Sequence, residues 1–208
     1  MQTESSSSAA DVAIAASERL IVFVSAPGAG KADVMRAWEE LQLPASSVRR
    51  IRRVVTGVSH LSSTEDELVN ASEFQALFAA GTFAASWYAR GRSFGVRRSE
   101  LATLGAGQWR MLSGSRVHLS KLRQHAPRLH LVEVTASLDV RKARLLLSDG
   151  PGADRPISLD PQPPKLKADL VVTNDGKPVS AAQKVNRWWL SLLKVARASD
   201  VVAPRKPS

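Results

Sequence analysis

The chain has 208 residues, with 29 Lys and Arg against 19 Asp and Glu for a formal charge of +10. At 44 % hydrophobic and 23 % charged it is not a disordered chain, and its length suits one domain with tails. It has no cysteine, which excludes disulfides, thiolate metal sites and cysteine nucleophiles and suits the cytosol. The positive excess calls for a polyanionic partner, either nucleic acid or a small phosphorylated molecule.

Residues 1–18 carry Glu4, Asp11 and Glu18 and no basic residue, and AADVAIAA is too short and interrupted for a secretory signal. They read as a flexible tail, as do residues 199–208, and the folded part is expected over 19–198. No apolar run approaches the ~20 residues that cross a bilayer, so no membrane partner is expected. LIVFVS after Arg19 is a continuous apolar run, the pattern of a strand covered on both faces. It enters APGAGK, after which Val34, Ala37, Trp38 and Leu41 mark a helix over Ala32 to Leu41. Strand, glycine-rich turn and helix open an α/β domain. The stretch 49–98 mixes basic residues, short β-like segments and a helix near Glu73 to Ala80, and reads as an insertion carrying a binding surface. Further strands are expected at Gln108 to Ser115, His130 to Ser137 and Ala168 to Asp175. Helices are expected at His118 to His125, Leu138 to Leu147 and Ser180 to Ala198. The stretch Asp149 to Pro164, rich in Pro, Gly and Asp, must be a loop, of the length that forms lids or binding loops.

The phosphate-loop pattern G-x-x-x-x-G-K-[ST] works because backbone N–H groups wrap phosphates while the lysine bridges the outer ones and the next helix adds its dipole. Here Ser25-Ala26-Pro27-Gly28-Ala29-Gly30-Lys31-Ala32 stands in its place. Gly28, Gly30 and Lys31 fit, and the backbone of Ala26, Pro27 and Ala29 completes the cradle. Ser25 replaces the first glycine, and Ala32 replaces the hydroxyl that ordinarily holds magnesium. Asp33 offers an oxygen about 100° further around the helix. The plainest alternative is a glycine turn with Lys31 merely solvated. His60, His118, His125 and His130 show no metal-binding spacing, and no metal ligand is assigned.

With SAPGAGKAD in front, SWYARGRSFGV (Ser86 to Val96) and LSGSRVHL (Leu112 to Leu119) resemble the ribose 1,5-bisphosphate phosphokinases of bacterial phosphonate breakdown. These belong to the guanylate-kinase-like branch of the P-loop kinases. The resemblance implies a three-layer α/β nucleoside-monophosphate-kinase-like fold with a central parallel sheet. It also implies a small acceptor-binding insertion (49–98) and a lid-like loop (149–168). The implied reaction is phosphoryl transfer from ATP with Mg2+ to ribose 1,5-bisphosphate, giving 5-phosphoribosyl 1-diphosphate and ADP, in the cytoplasm and in phosphonate catabolism. Carried over by residue, Gly28, Gly30 and Lys31 would hold the ATP phosphates within a loop running from Ala26 to Asp33. Asn174 and Asp175 would border the adenine. Arg49 and Arg53 would meet the acceptor's phosphate, while Ser115 and Arg116 would face the acceptor. Lys31 and Arg116 stand as the catalytic pair. Phe94 sits where the family has a phosphate-bonding tyrosine, and Trp87 is a candidate for stacking on a ligand, with packing as the alternative.

Alternate residues of a strand share a face, so Arg49, Ile51 and Arg53, or Arg50 and Arg52, are expected to point together. Glu65, Asp66 and Glu67 read either as a group for sugar hydroxyls or as a solvated turn. Ala32, Ser113 in place of an Asn or acid, and a lid with Arg155, Lys165 and Lys167 among prolines motivate a second reading. In it the fold is a catalytically degenerate kinase that binds nucleotide, sugar phosphate or a protein without turnover. Nucleic acid is the weaker third partner, since no nucleic-acid module is recognised. The adjacent Trp188 and Trp189 cannot both face one core, and one is expected at an interface such as that of a homodimer.

Overall fold

The computed structural model describes residue 14 and residues 16–42, 48–57, 65–89, 91–102, 104, 108–149 and 166–202. In chain order a 3₁₀ turn (Ser17–Arg19) precedes β1 (Leu20–Ser25), α1 (Lys31–Glu40), β2 (Val48–Arg50), β3 (Arg53–Thr56) and β4 (Asp66–Val69). Then come α2 (Ala71–Ala79), β5 (Phe83–Ala89), β6 (Arg92–Arg97), α3 (Arg98–Ala102), β7 (Trp109–Ser113) and α4 (Leu119–His125). The chain ends with β8 (His130–Thr135), α5 (Leu138–Asp149), β9 (Leu170–Thr173) and α6 (Pro178–Val202). A five-stranded sheet has the order β2-β7-β1-β8-β9, and a four-stranded sheet the order β4-β3-β6-β5. This is the α/β architecture with a central parallel sheet that the sequence implied. Contacts divide the chain into two compact units, residues 1–22 with 47–130 and residues 23–46 with 131–208.

In the first unit the stretch after Arg50 becomes the small sheet. β3 pairs in parallel with β4 and antiparallel with β6, which pairs antiparallel with β5. Val54, Phe74 and Phe83 form its core with Val69 and Leu77, and the rings of Phe74 and Phe83 lie 4.9 Å apart. Helix α2 starts where it does because Asn70 and Glu73 form a capping box. The Asn70 side chain accepts from the Glu73 N–H at 2.9 Å, and the Glu73 carboxylate accepts from the Asn70 N–H at 2.9 Å. A Cβ on Gly95 would come within 2.6 Å of the Phe83 ring, so only glycine lets β6 pass.

Two expectations are corrected here. The RRIRR segment is not one strand: β2 ends at Arg50 in the five-stranded sheet, and β3 begins at Arg53 in the four-stranded one. The N–H of Ile51, a residue only 1 % exposed, donates to Met111 at 2.8 Å and ends the first pairing, so no shared alternation links Arg49 to Arg53. The N-terminal tail does not extend to residue 18 either. The Ile14 N–H donates to His125, the buried Ser17 accepts from the Arg128 N–H at 3.2 Å, and Glu18 pairs with Arg128 at 3.0 Å.

In the second unit, Phe23 and Val24 of β1 are fully buried, as their continuous apolar run implied. Helix α1 docks on α6 through Trp38, whose ring is 5.6 Å from Phe23 and edge-on to Trp189 at 5.9 Å. Its indole N–H donates to Asn186 at 3.2 Å, so the one polar atom of a buried ring is satisfied. Trp189 therefore belongs to the core, and its neighbour Trp188 is half-buried. Strand β9 pairs in parallel with β8. Helix α6 runs to Val202, past the expected end at Ala198. The lid-like stretch lies outside the described residues except for Asp149 and residues 166–168, and among the described residues no helix is long and apolar enough to cross a membrane.

Candidate active site

The glycine-rich turn between β1 and α1 takes its shape from two residues in the left-handed region, Gly28 at φ 77° and Gly30 at φ 75°. Gly30 caps α1, whose first residue is Lys31. The loop is then bonded from outside. Arg141 Nε donates to the Pro27 carbonyl at 2.9 Å, Arg144 Nη1 to the Ala29 carbonyl at 3.4 Å, and Asn174 Nδ2 to the same Ala29 oxygen at 2.9 Å. Backbone contact is as tight, since a Cβ on Gly28 would meet the Arg141 carbonyl oxygen at 2.5 Å. With its carbonyls engaged on one side, the loop is a backbone cradle at a helix start, the arrangement that receives phosphate.

Asn174 and Asp175 were expected beside a base, and their side chains have structural partners. Asn174 is 1 % exposed and holds the loop, while Asp175 accepts from the Ser137 N–H at 2.6 Å. Ala26 and Ala29 are buried, and Ala32 and Asp33 are exposed. Arg141 and Arg144 were not singled out from the sequence. Their spacing of three on the helix after the clearest strand puts them on one face, which is the signal that could have found them.

In the first unit, the two segments that carry the family resemblance line one pocket. Ala85, Ser86 and Trp87 come from β5, Leu112, Gly114 and Ser115 from the end of β7, and His118, Leu122 and His125 from the start and body of α4. Trp87 stacks on Phe94 at 5.5 Å with the planes 6° apart, so one face of its ring packs and the residue also lines the pocket. The phenyl of Phe94 has no hydroxyl to offer and instead carries the Arg53 guanidinium 5.2 Å from its centroid. His118 is the N-cap residue of α4, but its side chain makes no cap and lies with Nδ1 3.4 Å from the Ser115 hydroxyl. Arg116 follows Ser115 in the turn before α4 and is half-buried.

Several arginines of this unit are mated to carboxylates. Arg53 donates to Asp66 through Nε at 2.8 Å and Nη2 at 2.6 Å, and its Nη1 donates to the Ser113 carbonyl at 2.9 Å. Arg50 pairs with Glu65 at 2.7 Å and Arg97 with Glu67 at 2.6 Å. The hydrogen bond that Arg97 donates to the Glu67 carboxylate raises the guanidinium pKa above its ordinary value, against the opposing effect of burial. Glu65, Asp66 and Glu67 are thus not a merely solvated turn, since each pairs with an arginine. Arg49 is exposed on β2, and Arg53 is on the other sheet.

The donor set near the cradle does not suit a metal held by the protein. Ala32 presents a methyl group, and Asp33 is ion-paired with Arg36 at 3.3 Å. Among the described residues no group of three or more His, Asp or Glu side chains could hold a metal ion.

No family model matches the chain. A ribose 1,5-bisphosphate phosphokinase PhnN from Azotobacter vinelandii is 38 % identical over 129 residues, covering 62 % of this chain and 69 % of that protein. The protein of the same name from Rhodopseudomonas palustris is 31 % identical over 173 residues, covering 79 % of this chain and 84 % of its own length. Among solved structures, guanylate kinase from Anaplasma phagocytophilum superimposes with a TM-score of 0.61 at 18 % identity, covering 83 % of this chain and 84 % of that one, a likeness of fold. With its loop, its two signature segments and this extent of identity, the chain belongs to the family of the ribose 1,5-bisphosphate phosphokinases PhnN, which are kinases.

Proposed function

We propose that the chain transfers the γ-phosphoryl group of ATP, supplied as its magnesium complex, to ribose 1,5-bisphosphate. An oxygen of the acceptor's 1-phosphate forms the new bond to the γ-phosphorus, the bond to the β,γ-bridging oxygen breaks, and 5-phosphoribosyl 1-diphosphate and ADP leave. The observation that carries the reading is the convergence of Ser86 and Trp87 with Gly114 and Ser115 on one pocket. Segments separated in sequence come together where an acceptor would be held. The cradle before α1 takes the donor's phosphates, with Lys31 at its mouth to offset charge on the transferred group. Arg116, next to Ser115, is the arginine assigned to the acceptor. On this reading the reaction belongs to the cytoplasm and to phosphonate catabolism.

The test is phosphoryl transfer from ATP and magnesium to ribose 1,5-bisphosphate, with GMP as a parallel acceptor. Turnover is expected on the ribose compound and not on GMP, and Lys31→Ala is expected to reduce it about 10³-fold. Turnover on GMP alone, or on neither acceptor, would overturn the assignment.

A further inference from the structure

The donor loop of this chain is braced in a way that its missing hydroxyl makes informative. Arg141 is joined to the loop by its Nε on the Pro27 carbonyl and by the approach of its own backbone to Gly28. Its Nη2 is buried with no hydrogen-bond partner, and so is Oδ1 of Asn174, a residue 1 % exposed that holds the same loop. Arg144 Nη1 reaches the Ala29 carbonyl and lies 3.2 Å from where a Cβ on Gly30 would stand. Two guanidinium groups therefore sit against the loop that forms the cradle. The one carboxylate on the first turn of α1, Asp33, is paired with Arg36, and Asp175 is bonded to Ser137. Buried polar atoms without partners are costly, and a ligand that bonds them recovers that cost.

We infer that this loop binds the polyphosphate of a nucleoside triphosphate without a divalent cation held by the protein. Arg141 and Arg144 supply the positive charge, and Arg141 acts as the positioning residue that fixes the loop through Pro27. The inference rests on the reading that the loop takes ATP. Removing magnesium leaves ATP with more negative charge, which fixed guanidinium groups meet as charge-assisted hydrogen bonds.

The test is calorimetric titration of ATP into the full chain, once with magnesium and once with excess EDTA. The two dissociation constants are expected to agree within about threefold, a difference well under 1.4 kcal/mol. Binding with magnesium and none in EDTA overturns this inference and leaves the kinase reading standing, whereas binding in neither buffer overturns both. Arg141→Gln is then expected to weaken binding in EDTA by about tenfold and to make it tighter in magnesium than in EDTA. A merely structural role for Arg141 would shift the melting temperature without creating that metal dependence. Arg141→Lys, which keeps the charge, is expected to restore part of the EDTA affinity. If neither variant alters the ratio between the two buffers, Arg141 does not have this role.

Discussion

The loop before α1 and the pocket beside β7 are built by opposite means. The loop is backbone held by backbone and by side chains more than 100 residues away, with two glycines in the left-handed region and its carbonyls engaged by Arg141, Arg144 and Asn174. The pocket's surroundings are side chains held by side chains. There Arg50, Arg53 and Arg97 meet Glu65, Asp66 and Glu67, and Trp87 stacks on Phe94. The loop keeps cations at hand around an anion-shaped cradle. The other region has spent Arg50, Arg53 and Arg97 on its own architecture. A high count of basic residues is therefore a poor guide to where phosphate binds, because a guanidinium forked on a carboxylate serves the fold first.

Three substitutions sharpen this contrast. The largest effect is expected from Gly28→Ala, which combines a strained φ with a 2.5 Å clash against the Arg141 carbonyl. Stability should fall by about 3 kcal/mol and ATP binding should be lost, as read by denaturant unfolding and calorimetry. Asp66→Asn strikes the other kind of construction by removing the charge that holds Arg53, where both partners are 16 % exposed. A loss of about 2 kcal/mol is expected, with the ribose bisphosphate KM raised and the ATP KM unchanged. If the ATP KM moved equally, the two regions would not be the separate constructions described above. Asn70→Ala removes only the capping box of α2 and should cost about 1 kcal/mol, visible as a lowered melting temperature with both KM values unaltered.

What the sequence made legible follows from how local each cause is. β1 announces itself as an apolar run, and α6 by the apolar face of Val185, Trp188, Trp189, Leu192, Leu193 and Val195 at helical spacing, because burial on a regular element writes its own period. Gly28, Gly30 and Lys31 are legible for a similar reason, since a turn between strand and helix needs those conformations wherever it occurs. The switch of sheets between Arg50 and Arg53 is not legible, because it is set by the Ile51 N–H finding Met111 and by Arg53 finding Ser113, 60 residues on. The bond from Asn174 to Ala29 spans 145 residues, so a Thr-Asn-Asp-Gly turn gives no hint that its amide holds the loop. The capping box at Asn70 and Glu73 was within reach of a local reading, since its two residues stand three apart before an apolar run.

Gly95 belongs to the segment by which the family is recognised, and its neighbour in space is the Phe83 ring of the adjacent strand. The glycine in that signature is thus a requirement of packing. Positions 83 and 95 are expected to change together among relatives, a side chain at 95 being admitted only where the ring at 83 has been reduced. A relative can then keep the whole signature after losing its catalyst, or shed this glycine and stay active, and the pair at 83 and 95 should be weighed as one character when such sequences are sorted.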